Sequence, residues 1–251
     1  MDKMIYAILS VKKKSGKLDA LLATLKGISG ASLYAVVYEG IIAVVSDIEK
    51  SDLITDRSNA IEYASIIESL VQQFPLLPMC YGSLMESTDA IAEMLGRNYT
   101  ELRQNLKKVE NMREYGLKIF CDPEKLKSEF QAISKNDINI LIEPSTEVKN
   151  SVYREYVRNK LKEHRLEESI MTYVNSVIAE ISGCLARLNA VCKFKKMPSA
   201  TIMVDAVFLL RKDKKDELLK VVNDLKNQYQ KLNFVLTGPW PPYNFVDTRI
   251  K

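Results

Sequence analysis

This 251-residue chain is poor in the residues that usually do chemistry. It has one histidine, His164, inside Lys160-Leu161-Lys162-Glu163-His164-Arg165, where charged neighbours point to an exposed helix face. A Ser-His-Asp constellation needs its imidazole beside a nucleophile, and nothing near His164 supplies one. Cys80, Cys121, Cys184 and Cys192 follow no Cys-x-x-Cys spacing, so with a single histidine they form no zinc ligand set. They read as buried or half-buried free thiols. Cys80, after Pro78-Met79 in an apolar strand, is expected to have its pKa raised by burial rather than lowered towards reactivity. Neither a Walker loop nor a dinucleotide fingerprint is present, and Gly27-Ile28-Ser29-Gly30 is too short to cradle a phosphate. No catalytic, metal-binding or cofactor-binding residue is expected. No apolar run approaches the ~20 residues that span a bilayer, and the first residues lack a signal-peptide pattern. Both point to a cytoplasmic protein without a membrane. Charge of one sign is also short: the net charge is +4. The basic run Lys12-Lys13-Lys14 reads as a solvated loop, not the concentrated stripe of a nucleic-acid binder.

Apolar residues make up 47% of the chain and charged ones 27%, ordinary values for a globular protein able to build a large core. The length suits one to two domains. Met4 to Ser10 reads as a strand. Leu18, Leu21, Leu22 and Leu25 recur at helical spacing before Gly27. Leu33–Tyr38 and Ile41–Val45 flank Glu39-Gly40, a hairpin signal. Asp56 can cap a helix with the stripe Ala60, Ile61, Ala64, Ile67, Val71 and Phe74, which Pro75 stops, and Leu76–Tyr81 is the next strand. The order β-α-β-β-α-β is the ferredoxin-like split-βαβ arrangement, an antiparallel sheet with both helices on one face.

Next comes a helix capped by Ser87 or Thr88, with Ile91, Met94, Leu95, Leu102, Leu106 and Val109 on one side and a potential interruption at Gly96. Leu117–Cys121 reads as a strand, and Asp122-Pro123 starts another helix. Glu143-Pro144-Ser145 is the candidate domain boundary, giving domains 1–143 and 144–251. Beyond it, Ile170, Val174, Val177, Ile181, Cys184, Leu188 and Val191 form a seam at steps of four and three. That seam suits the protein's own core, or an interface with another chain. Pro198 ends this region. Thr201–Leu210 reads as a strand apolar on both faces, with Asp205 as its odd carboxylate. It faces solvent, or is paired at an interface. Asp213 caps a helix carrying Leu218, Val221, Val222, Leu225, Tyr229 and Leu232, and Asn233–Thr237 is a last strand. The fold class is α+β: an N-terminal ferredoxin-like domain, then a C-terminal α+β domain with a long helical element and a βαβ unit. No internal sequence repeat is evident. Tyr153, Arg154, Tyr156 and Arg158 open the long helical stretch and form a candidate interface, since Tyr and Arg are enriched in interfaces. An amphipathic helix start explains them equally well.

Leu236-Thr237-Gly238-Pro239-Trp240-Pro241-Pro242-Tyr243-Asn244-Phe245 concentrates three prolines, the only tryptophan and two further rings. Proline fixes φ, lacks a backbone donor and restricts its predecessor, so this is a stiff extended ribbon, neither helix nor central strand. It serves as a latch closing a domain or as a docking surface. A fully buried Trp removes ~150–250 Å² from water, worth roughly 4–6 kcal/mol.

Gly238-Pro239-Trp240-Pro241-Pro242-Tyr243 with Phe245 resembles the C-terminal signature of the gas vesicle protein F/L family (GvpF/GvpL). Leu77-Pro78 with Tyr81-Gly82, Glu114 with Gly116 and Lys118, and Ala206–Arg211 are similar to further segments of that family in the same order. Departures exist: Glu62-Tyr63-Ala64 stands where many members carry His and Asn, and Met79-Cys80 where an Arg often follows the proline. The resemblance implies a non-enzymatic accessory or minor structural role in building gas vesicles. It also implies binding to the small hydrophobic shell protein (GvpA-type) and other accessory proteins, without nucleic acid, at the vesicle or in the cytoplasm. The contrasting reading is a small-ligand-binding or enzymatic module, because ferredoxin-like folds host many functions.

Overall fold

A computed structural model describes residues 1–10, 16–49, 51, 57–138, 151–196, 199 and 201–246. The fold is mixed α+β with two sheets. The first is built from β1 (Asp2–Ser10), β2 (Leu33–Tyr38), β3 (Ile41–Ile48), β4 (Leu76–Pro78) and β5 (Leu84–Met85). Its order is β2-β3-β1-β4, every pairing is antiparallel, and β5 also pairs with β1. Between these strands run α1 (Gly16–Thr24) and α2 (Arg57–Gln73). The β2–β3 turn places Glu39 at φ 42° and Gly40 at φ 87°, as the Glu-Gly pair requires. Contacts divide the chain into two units: Met1–Tyr115 with Leu209–Lys212 and Gly238–Lys251, and Gly116–Phe208 with Asp213–Thr237. This differs from the expected split at 143/144. Glu143-Pro144-Ser145 lies outside the described residues, and the C-terminal ribbon groups with the first unit because its prolines and Asn244 dock there.

In the first unit both faces of the sheet are covered. Leu18, Leu22, Tyr63, Ile67 and Leu70 of α1 and α2 pack on one face. The helices α3 (Thr88–Arg97) and α4 (Tyr99–Val109) bring Ile91, Met94, Leu95, Leu102, Leu106 and Val109 to a second buried cluster, with Ile5, Ile8 and Val45. Ser87 caps α3 by accepting from the Ala90 N–H at 3.1 Å. The expected single helix breaks at Asn98 rather than Gly96. Gly96 is there for space: a Cβ would sit 3.0 Å from the Tyr38 ring. Within β1 the register shifts between Ile5 and Ala7, and Tyr6 and Ala7 both join the first cluster. Such a bulge turns two consecutive side chains towards one face.

Two further expectations need correction here. The buried face of α2 is Tyr63, Ile66, Ile67, Leu70 and Val71, and Ile61 is 59% exposed. The ring of Tyr63, rather than the side chains of Ala60 and Ile61, sets the inward side. β4 ends at Pro78, so Cys80 lies beyond the strand and is exposed. It leads into a turn, and its carbonyl accepts from the Ser83 N–H at 3.1 Å. Asp56 lies outside the described residues, as do Lys12–Lys14 and Pro198.

The second sheet holds β6 (Met112–Phe120), β7 (Val191–Lys196), β8 (Ile202–Arg211) and β9 (Asn233–Trp240) in the order β7-β8-β6-β9. Its strands, taken in chain order, repeat the 2-3-1-4 order of the first sheet, although the sequence shows no repeat. In the second unit α5 (Pro123–Ile138) starts on Asp122, whose carboxylate accepts from the Glu124 and Lys125 N–H groups at 3.1 and 3.3 Å. The long helix α6 (Ser151–Arg187) buries Ile170, Val174, Val177, Ile181 and Leu185, so the seam lies on this chain's own core. Cys184 is only half-buried, and Val191 is 55% exposed on β7, a strand not foreseen. Asn159–Arg187 is long and apolar enough to cross a bilayer by length and composition alone, contrary to the expected lack of any such run. Its buried stripe equally describes a core helix. α7 (Lys215–Gln228) begins after a 3-10 turn that contains Asp213, so Lys214 holds the N-cap position instead. Asp205 is partly exposed and pairs with Lys118 at 3.8 Å.

Where the C-terminal ribbon docks

Tyr6, on the bulged stretch of β1, is fully buried; its hydroxyl lies 3.0 Å from Ser46 Oγ and accepts from the Ile28 N–H at 3.0 Å. The Tyr63 ring of α2 stacks on Tyr6 with centroids 5.6 Å apart and meets the edge of Tyr81 at 5.5 Å. Tyr63 donates its hydroxyl to the Met79 carbonyl and, at 3.2 Å, to that of Tyr6. Burial pushes the Tyr63 phenol up, so it stays a donor. Gly82, at φ 81°, makes the turn that follows. Thus Leu77, Pro78, Tyr81 and Gly82 bound a tyrosine-lined wall on the first unit.

The ribbon meets that unit through Glu114 of β6, whose side chain is 3% exposed. The Asn244 backbone N–H donates to Glu114 Oε2 at 2.8 Å and its side-chain amide to Oε1 at 2.5 Å. Two donors from one residue hold both oxygens of a buried carboxylate, which is how such a charge is made tolerable. Pro241 and Pro242 are buried, and Val246 packs on the second cluster. Partial burial, then the charges of Glu68 and Glu114, push the Tyr243 phenol up to about 12. Gly238 has φ 104°, and a Cβ there would stand 2.8 Å from the Glu114 carbonyl.

The rings are another matter. Trp240 is 41% exposed and Tyr243 43%, while Phe245 is half-buried. The ribbon is therefore latched by its prolines and Asn244, and displays its two largest rings. Full burial of Trp240 does not occur, because β9 is an edge strand and its end faces outward.

The remaining motif residues fall in the second unit. A Cβ on Gly116 would meet Thr237 Oγ1 at 2.7 Å, and Thr237 donates to the Gly116 carbonyl at 3.3 Å. Lys118 is the partner of Asp205. Of the candidate interface, only the Tyr156 side chain is among those described, and it is 59% exposed on α6. The side chains of Tyr153, Arg154 and Arg158 lie outside the described residues. Asn244, Tyr6 and Tyr63 were missed as site residues. An Asn just after Pro-Pro-Tyr was the available signal, since Asn readily bonds neighbouring backbone and acids in turns.

For chemistry the arrangement offers little. Among the described residues no group of three or more His, Cys, Asp or Glu could hold a metal ion. His164 is exposed beside Glu168 at 3.4 Å. Burial raises the Cys121 thiol and pushes Cys192 to about 11, away from reactivity.

The family model described as "Gas vesicle synthesis protein GvpL/GvpF" matches residues 3–247, and the chain belongs to that family. It is 22% identical over 254 residues to gas vesicle protein F1 of Halobacterium salinarum, covering 100% of this chain and 96% of that one. It is 21% identical to gas vesicle protein F of Haloferax mediterranei, over 89% and 86% of the two chains. Its fold is similar to crystal structures of GvpF from Anabaena (TM-score 0.75, 17% identity, 100% and 98% covered) and Microcystis aeruginosa (TM-score 0.73, 15% identity, 97% and 98% covered).

Proposed function

We propose that this chain is a non-catalytic accessory or minor structural protein of gas vesicle assembly, working at the vesicle or in the surrounding cytoplasm. It binds the small hydrophobic shell protein (GvpA-type) and, through other surfaces, further accessory proteins. The observation that carries this reading is the family match along nearly the whole chain. The geometry adds a means. A shell subunit with a large apolar surface must be covered before it joins the wall. Trp240 and Tyr243, half-exposed on a backbone locked by Asn244, supply pre-ordered rings of the kind that anchor interfaces. The first unit therefore does most of the gripping.

Co-purification of the full-length chain with the shell protein tests this. Retention by the wild type and by Tyr156→Ala, with loss in a Trp240→Ala/Tyr243→Ala double variant, supports the reading. Failure of the wild type to retain the shell protein rejects the function. Loss in Tyr156→Ala alone rejects the assignment to the first unit.

A further inference from the structure

A groove of about 810 Å³ opens in the first unit, at the end of the sheet where β1 finishes and β4 begins. It is lined by Ser10, by Glu39 and Gly40 of the β2–β3 turn, and by Arg103, Lys107 and Glu110 of α4 and its end, among others. That volume is in the range of ligand sites. The ribbon's bonds are made elsewhere, to Glu114 of β6.

Arg103 is held in place. Its guanidinium carbon lies 5.7 Å from the centroid of the Tyr99 ring, and its Nη1 donates to the Tyr99 hydroxyl at 3.1 Å. Tyr99 in turn donates to the Glu39 carbonyl at 3.0 Å and meets the Tyr38 ring edge-on at 6.0 Å. The cation is thereby tied to the sheet by a two-step relay, which leaves other guanidinium N–H groups for a carboxylate. Lys107, four residues on, shares its helix face. Among the described residues none of Arg103, Lys107, Glu39 and Glu110 makes an ion pair. Two cations and two carboxylates thus border one groove, and among the described residues none of their charges is neutralised by an ion pair.

We infer that this groove receives a mixed-charge peptide segment of a partner protein, its acidic side chain on Arg103 and Lys107 and its basic side chain on Glu39 and Glu110. A uniformly anionic ligand would be repelled by the two glutamates, and a uniformly cationic one by Arg103 and Lys107. A free amino acid, though zwitterionic, is too small for the volume. The inference does not rest on the function proposed for the ribbon.

Fluorescence anisotropy with the full-length protein and end-blocked, fluorescein-labelled octapeptides tests it. An alternating Glu/Lys peptide should bind about tenfold tighter than all-Glu or all-Lys peptides. Arg103→Gln and Lys107→Gln, both exposed, should each weaken binding several-fold while the melting temperature holds. Tyr99→Phe, which keeps the ring and removes the hydroxyl, should weaken it less. Trp240→Ala should leave it unchanged, which separates this site from the ribbon. Equal or tighter binding of the all-Glu peptide overturns the mixed-charge assignment. Equal weakening by Lys160→Gln, on α6 of the second unit, reduces the effect to general charge and overturns the site.

Discussion

Asn244 and Trp240 sit four residues apart, yet their side chains carry opposite kinds of work. Asn244 bonds both oxygens of the buried Glu114 carboxylate, one through its backbone N–H and one through its side-chain amide. Replacing it with Ala should cost about 2–3 kcal/mol, since it removes the side-chain amide from a buried carboxylate and leaves only the backbone N–H as donor. Asn244→Asp should cost more, because it sets a second negative charge against the first. Trp240→Ala should cost only about 2 kcal/mol, below the ~3–5 kcal/mol of a fully buried aromatic truncation, because much of its ring already faces water. Urea unfolding of the three variants checks the order. A Trp240→Ala loss exceeding that of Asn244→Ala would show the ring to be the true latch. The ribbon itself was legible in the sequence because three prolines dictate extended backbone whatever surrounds them. The Glu114–Asn244 pairing was not, since 130 positions separate the two and neither residue carries a local signature of burial.

The elements show the same division between local and distant information. The β2–β3 hairpin, the Ser87 cap and the Asp122-Pro123 helix start were readable because each is set within four residues. The inward face of α2 was misread because Tyr63, an amphipathic residue, was not counted as apolar. β7 was absorbed into the helical seam because Leu188 and Val191 prolong its spacing past the helix end. The bulge at Tyr6 leaves no trace in composition; only pairing with β3 reveals it. Two predictions belong at this scale. Gly116→Ala should destabilise the chain through its clash with Thr237 Oγ1. Adding Thr237→Ala should recover part of that loss, so the double variant is less unstable than the sum of the singles, as denaturant melts would show. Asp47 of β3 accepts from Lys3 of β1 at 2.5 Å and from Tyr34 of β2 at 2.8 Å, and these bonds, Lys3 first, hold its carboxyl below the usual range. A depressed acid contributes stability above its unfolded pKa and loses it as pH falls through the folded one. Wild-type stability should therefore drop more steeply than that of Asp47→Asn below about pH 4, by a small margin because the pair is partly exposed.

For the whole molecule, the ribbon's membership of the first unit changes what a fragment can be. A 1–143 piece keeps Glu114 but lacks Asn244, and keeps β6 but lacks β8 and β9 on either side of it. It should show no cooperative thermal transition by circular dichroism, whereas the full chain should. A sharp melt of that fragment, with native-like near-UV signal, would refute the contact-based division and favour a boundary at 143. The same loss would make shell-protein capture by such a fragment uninformative, which is why full-length variants are the proper test of function.

Along its length the polypeptide passes from one unit to the other four times, after Tyr115, Phe208, Lys212 and Thr237. No single proteolytic nick or gene fusion point can then release either half intact. Reporter tags are therefore best attached at the termini, never used to split the chain.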